Sequence, residues 1–225
     1  MRYALGIVLA CAALAADPAE AARNRQDRAA LEQLLAKDTA AADAKAKDAA
    51  AQYRAALTAS YAAEVALEQR EKDAAKSAAE TGVRYAERAI VIDGRNSEYH
   101  RVLGTLCGQI IPANVLAGLR YGKRAQEAIE KAIELNPKSA QAYLARGVGT
   151  YYLPALMGGG PEKAIDDFQK AIQLDGKLAE ARLWLGLALR RLNRNAEARK
   201  AFTESLHLNP HRVWARQQLE KTPAQ

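Results

Sequence analysis

Ala179–Pro210, AEARLWLGLALRRLNRNAEARKAFTESLHLNP, is the stretch from which the rest of the 225-residue chain can be read. It holds two amphipathic runs of helical period. Leu185-Gly186 lies midway along the first, Ala198 and Phe202 carry the inner face of the second, and Leu208-Asn209-Pro210 stops it. The same kind of stop recurs upstream as Leu174-Asp175-Gly176, Leu135-Asn136-Pro137 and Ile92-Asp93-Gly94, at intervals of 34, 39 and 43 residues. A helix breaker at each entry point, after a helix with small residues on one face, marks an internal repeat.

The longer intervals are accounted for by 5 and 9 residues inserted between the two helices of a unit. Gly186 to Ala198 spans 12 residues, Gly147 to Ala164 spans 17 and Gly104 to Ala125 spans 21. The pattern resembles the tetratricopeptide repeat (TPR) family. Tyr143, Gly147, Ala164, Phe168 and Ala171 match its frame in the preceding unit, and Leu103-Gly104, Ala125, Ile129, Ala132 and Pro137 match it in the unit before. Arg182 stands where the family has an aromatic, and Ser205 where it has alanine. The resemblance implies an all-α fold, a right-handed superhelical solenoid of antiparallel helix pairs. Its units are expected at about 60–94 (degenerate), 97–137, 140–176 and 179–210. Glycine at a helix crossing lets the axes approach while a large neighbour fills the groove. Stacked pairs bury what one pair cannot, consistent with only 14 glycines and 7 prolines in a chain of this length.

Residues 1–16 read as an export signal: Arg2, an uncharged run Ala4–Ala16, and small residues at Ala13 and Ala15. The expected location is periplasmic, with lipid anchoring through Cys11 the lesser alternative. No later stretch is long and apolar enough to span a bilayer. Removal of the signal leaves Cys107 alone, expected as a buried apolar residue on a core helix. Residues 17–59 are alanine-rich and helix-forming, with one helix expected from Asp38-Thr39 towards Gln69. Residues 211–225 read as a capping helix and tail, with Val213, Trp214 and Leu219 inward and Arg212, Arg216, Gln217 and Gln218 outward.

The formal charge is +7, and from Ala179 onward nine Lys or Arg face four Glu, concentrated at Arg190, Arg191, Arg194, Arg199 and Lys200. This is foremost a solvated face, with an acidic partner or membrane surface as the functional alternative. Nucleic acid is not expected, because no aromatics interleave with these arginines. His207, His211 and Glu204 are interrupted by Pro210 and form no metal-site pattern. Gly158-Gly159-Gly160-Pro161 lacks the lysine spacing and leading strand of a phosphate loop, so it reads as a turn that folds back. The expectation is a protein without catalytic residues, cofactor or metal.

The insertions Tyr151–Met157 and Ile110–Leu116 are apolar, and should emerge along one edge, either covering each other or forming a lip. The first helices of TPR units line the concave groove. Helical projection gives Gln141, Leu144, Val148, Tyr151, Tyr152, Leu183, Leu187, Arg190 and Arg191, with Met157 on the lip, as candidate partner-binding residues. The lysines and asparagines of the family's carboxylate clamp are absent, so that specificity is not implied. The expected function is a non-enzymatic scaffold for a protein or peptide in the envelope or secreted space. A carrier of a small apolar ligand, as in transporter-associated TPR proteins, and a self-associating structural protein are the alternatives; the oligomeric state is open.

Overall fold

The computed structural model describes residues 17–224, so the expected signal and Cys11 lie outside the described residues. Eleven α-helices follow: α1 (Pro18–Asn24), α2 (Arg28–Ala44), α3 (Ala49–Glu68), α4 (Lys72–Ile92), α5 (Ser97–Ile110), α6 (Val115–Leu135), α7 (Ala140–Tyr152), α8 (Pro161–Leu174), α9 (Ala179–Arg191), α10 (Asn195–Leu208) and α11 (Val213–Glu220). No strand occurs among the described residues. Neighbouring helices pair in sequence, and α3, α5, α7 and α9 also touch one another across units. That extra contact makes the odd-numbered helices the inner layer of a helical solenoid.

The four stop phrases share one conformation. Asp93, Asn136, Asp175 and Asn209 have φ between −136° and −141° and ψ between 84° and 96°. Each donates its backbone N–H to a buried small residue one turn back, Ala89, Ala132, Ala171 or Ser205. Each side chain accepts from the N–H two residues on, at 3.2, 3.1, 2.8 and 3.3 Å. The phrase is therefore an Asx turn that leads into the next helix. Gly94 and Gly176 are not in the left-handed region, which is why proline serves equally well at positions 137 and 210.

The helix crossings are as tight as the glycines imply. A Cβ on Gly104 would meet Ile129 at 2.6 Å, one on Gly147 would meet Phe168 at 2.6 Å, and one on Gly186 would meet Phe202 at 2.6 Å. Phe168 and Phe202 are fully buried in one core with Leu144, Leu183 and Leu187. A second core joins α2 to α6 around Ala59, Val83, Leu106 and Ile110. Cys107 belongs to it, and burial pushes its thiol up to about 11, so it is an inert packing residue.

Two sequence expectations change. The alanine-rich segment is not one long helix: it breaks at 45–48, where Asp48 accepts from the N–H groups of Ala50 and Ala51. The buried Gln52 amide donates to the Ala42 and Lys45 carbonyls, satisfying the end of α2. The degenerate pair accordingly starts at Ala49 rather than near Ser60. Before it, α1 and α2 turn as later pairs do: Gln26, Arg70 and Asn193, at φ 55°, 67° and 60°, close the helices preceding α2, α4 and α10. At each, the next N–H reaches back to the end of the first helix, from Asp27 to Ala22, Glu71 to Ala66 and Arg194 to Leu189. Of the two insertions, the 110–116 one is mostly helix. A 3-10 turn (Ile111–Ala113) leads to Asn114, which accepts from Ala117 N–H and starts α6 early.

Candidate binding surface and the charge cluster that closes the groove

The candidate strip divides. Leu144, Leu183 and Leu187 are buried in the core, so they cannot line an open groove; the helices α7 to α11 pack tightly enough to enclose them. Gln141 is exposed and Val148 half-buried. Arg190 is spent on structure, donating to the Gln218 carbonyl at 3.2 Å and its side chain at 2.7 Å. Arg199 does the same to the carbonyls of Leu219 and Thr222, so two of the basic patch's arginines cap α11. Arg191 donates to the Tyr151 carbonyl at 3.1 Å, with its guanidinium 5.1 Å from that ring. Tyr151, Tyr152 and Trp184 form an edge-to-face triad with centroids 5.0 to 5.9 Å apart, and Trp184 continues to Trp214 at 5.5 Å. Trp184, absent from the projected strip, is the centre of this aromatic patch.

The loop behind the patch folds back as its glycines allow. Gly158 and Gly160 have φ of 84° and 110°, Gly160 N–H donates to Thr150, and Pro161 opens α8. Leu156 and Met157, at its tip, are not covered, nor are Leu116 and Leu119 on α6. The two insertions therefore do not bury each other. Shallow open depressions lie near Gln126–Glu134 and Ala44–Asp48, neither beneath the insertions.

What closes the concave side is a charge cluster with no sequence forewarning. Arg212, expected outside, has a side chain with 0% exposure. It donates to Glu64 at 2.7 Å, to Glu180 at 2.9 Å and to Glu68 at 3.1 Å, so the start of α11 is tied to both α3 and α9. Arg23 on α1 also pairs with Glu180, lies 3.8 Å from Glu64, and sits 5.2 Å over the Tyr61 ring. Gln26 donates to Glu68 at 2.7 Å and accepts from Gln217 at 3.1 Å. The first and last inner helices are thus latched together. Such a cluster is legible only once the chain has curved, because its partners lie up to 191 residues apart.

A sequence model of the family described as Regulator of microtubule dynamics protein 1-3 matches residues 14–156. The chain belongs to that family. A tetratricopeptide repeat model matches residues 179–212, so the chain is also a TPR protein. Among solved structures, a thermophilic TPR protein of Thermus thermophilus is 20% identical, with 85% of this chain and 92% of that one covered, at a TM-score of 0.61. The HusA haemophore of Porphyromonas gingivalis is 21% identical, with 78% and 94% covered, at a TM-score of 0.59. Both likenesses concern the fold. No curated protein matches.

Within the latch two arginines face three glutamates, and the carboxylates respond unequally. Burial opposes ionisation of Glu180, but Arg212 and Arg23 outweigh it and hold this carboxyl at about 2. At Glu68 burial prevails over Arg212 and pushes the carboxyl up to about 7. The stability due to Glu180 is complete above its ordinary value of 4.5 and is lost as pH falls toward 2. Glu68 acts oppositely: between 4.5 and about 7 the folded chain holds a proton that the unfolded chain releases, so stability falls as pH rises through that window. Urea midpoints measured from about pH 3 to 8 should decline on the alkaline side of pH 5, and Glu68→Gln should flatten that limb while leaving the acid limb. An unchanged alkaline limb in the variant would refute the assignment.

Proposed function

We propose that this TPR chain is a non-catalytic scaffold that binds a protein partner through the aromatic patch of Tyr151, Tyr152 and Trp184, flanked by Gln141, Val148 and Arg191. The TPR fold supports a role in protein–protein interaction. The single observation that carries the site is the edge-to-face cluster itself: Tyr152 is exposed although it touches Tyr151 and Trp184, so the patch is preorganised and uncovered. Rigid aromatics of this kind dominate binding once a partner desolvates them. The family's description ties its members to microtubule dynamics; the leader-like start favours an exported envelope scaffold for this chain.

Tyr152→Ala should reduce capture of crosslinked partner about tenfold or more while leaving helix content and melting temperature unchanged. Normal capture by a folded variant would place the interface elsewhere. Export carries its own test: N-terminal sequencing of protein accumulated in cells should return Ala16 or Asp17, and Met1 on cytoplasmic protein would overturn it.

A further inference from the structure

We propose that the edge carrying the turns from inner to outer helices docks on an anionic phospholipid bilayer, a role that does not rest on the protein-partner reading. In an array of antiparallel pairs, the C-terminal ends of α5 and α7 and the N-terminal ends of α6 and α8 share one edge. Two apolar tips project there from adjacent units. Leu116 and Leu119 on the first turns of α6 are 75% and 78% exposed, and Leu156 and Met157 at the inserted turn are 103% and 68% exposed.

These side chains stand out from convex tips rather than lining a cleft. That is the shape of a group that sinks into the headgroup and acyl boundary, where no complementary pocket is needed. The charge around them is complementary to anionic lipid. Leu116, Leu119, Arg120 and Lys123 share one exposed face of α6 at helical spacing, and no acidic residue occurs between Glu98 and Glu127. Arg120 rests 5.3 Å from the Tyr121 ring and has no carboxylate partner among the described residues, whereas Lys123 has only the solvent-exposed Glu127 at 3.5 Å. Beside the second tip, no acidic residue occurs between Glu134 and Glu162; Glu162 acts on Arg194, and the Lys163 ammonium lies near Gly158. Apolar tips backed by cations with free donors match a bilayer whose phosphates lie just above its acyl chains.

The test uses an environment-sensitive fluorophore on Met157→Cys in the full chain carrying Cys11→Ser, where the remaining Cys107 is buried. A second protein carries the label on Lys170→Cys, exposed on α8 away from the tips. Vesicles containing phosphatidylglycerol should blue-shift the label at 157 and leave that at 170 unmoved, and pure phosphatidylcholine vesicles should act far more weakly. Arg120→Glu with Lys123→Glu should weaken the response about tenfold or more. No shift at 157, equal shifts at both positions, or an undiminished response of the charge-reversed variant would overturn the proposal. So would a shift caused by soluble poly-glutamate but not by vesicles, which would assign the edge to an acidic protein.

Discussion

Arg212→Ala is expected to cost about 3–5 kcal/mol and to broaden the thermal transition. The side chain removed is fully buried and binds three carboxylates, and its loss leaves Glu64 and Glu180 to Arg23 and Glu68 with only the Gln26 amide. Uncompensated buried charge makes the loss larger than the net contribution of the ion pairs. The broadening follows from topology. A solenoid held only by neighbours frays from its ends, whereas a latch between first and last inner helices makes those ends report on each other. Arg212→Lys should recover only a part, because one ammonium cannot reproduce a planar fork reaching α3 and α9 together. Calorimetry checks both: a variant that melts as sharply and as high as the parent would show that the latch contributes nothing.

Phe168→Ala should cost about 3–5 kcal/mol as well, for a different reason. The ring occupies the space left by the missing Cβ of Gly147 and stacks against Trp184, with centroids 6.3 Å apart and planes inclined by 30°. It therefore joins α8 to both α7 and α9, and alanine would leave a cavity between two units rather than within one. Chemical denaturation should show a lower midpoint; an unchanged midpoint would mean that the repeat register is wrong. Tyr152→Ala, which alters an exposed ring of the neighbouring triad, should leave the same midpoint in place.

The repeats were legible because their residues are short-range devices. An Asx turn needs only its own loop, and a glycine facing a phenylalanine recurs at a spacing set by two helices. The helix break at 45–48 was hidden because Asp48 makes it without glycine or proline, and the buried Gln52 that completes it looks like any polar residue of an alanine-rich helix. The insertion before α6 read as loop because it is apolar and contains Pro112, yet Asn114 can cap a helix wherever the following residues permit one. The candidate strip was projected from α7 and α9 by helical period. Periodicity alone gave Leu144, Leu183 and Leu187 no way of being told apart from Gln141 or Tyr152, since packing of later helices decides which face stays open. The latch was invisible for a simpler reason: Glu64, Glu68, Glu180 and Arg212 sit among many charges of solvated faces, and only curvature of the whole array brings them together.

Closure of that array is measured directly by the distance between its ends. Spin labels at the exposed Arg25→Cys and Glu220→Cys, with Cys11→Ser, flank the contact in which Gln217 donates to Gln26 at 3.1 Å and leave the latch side chains in place. Pulsed electron paramagnetic resonance should return one narrow, short distance population, lengthened and broadened when Arg212→Ala is added. A long or broad distribution in the otherwise unaltered protein would contradict a latched solenoid and leave an open one in its place.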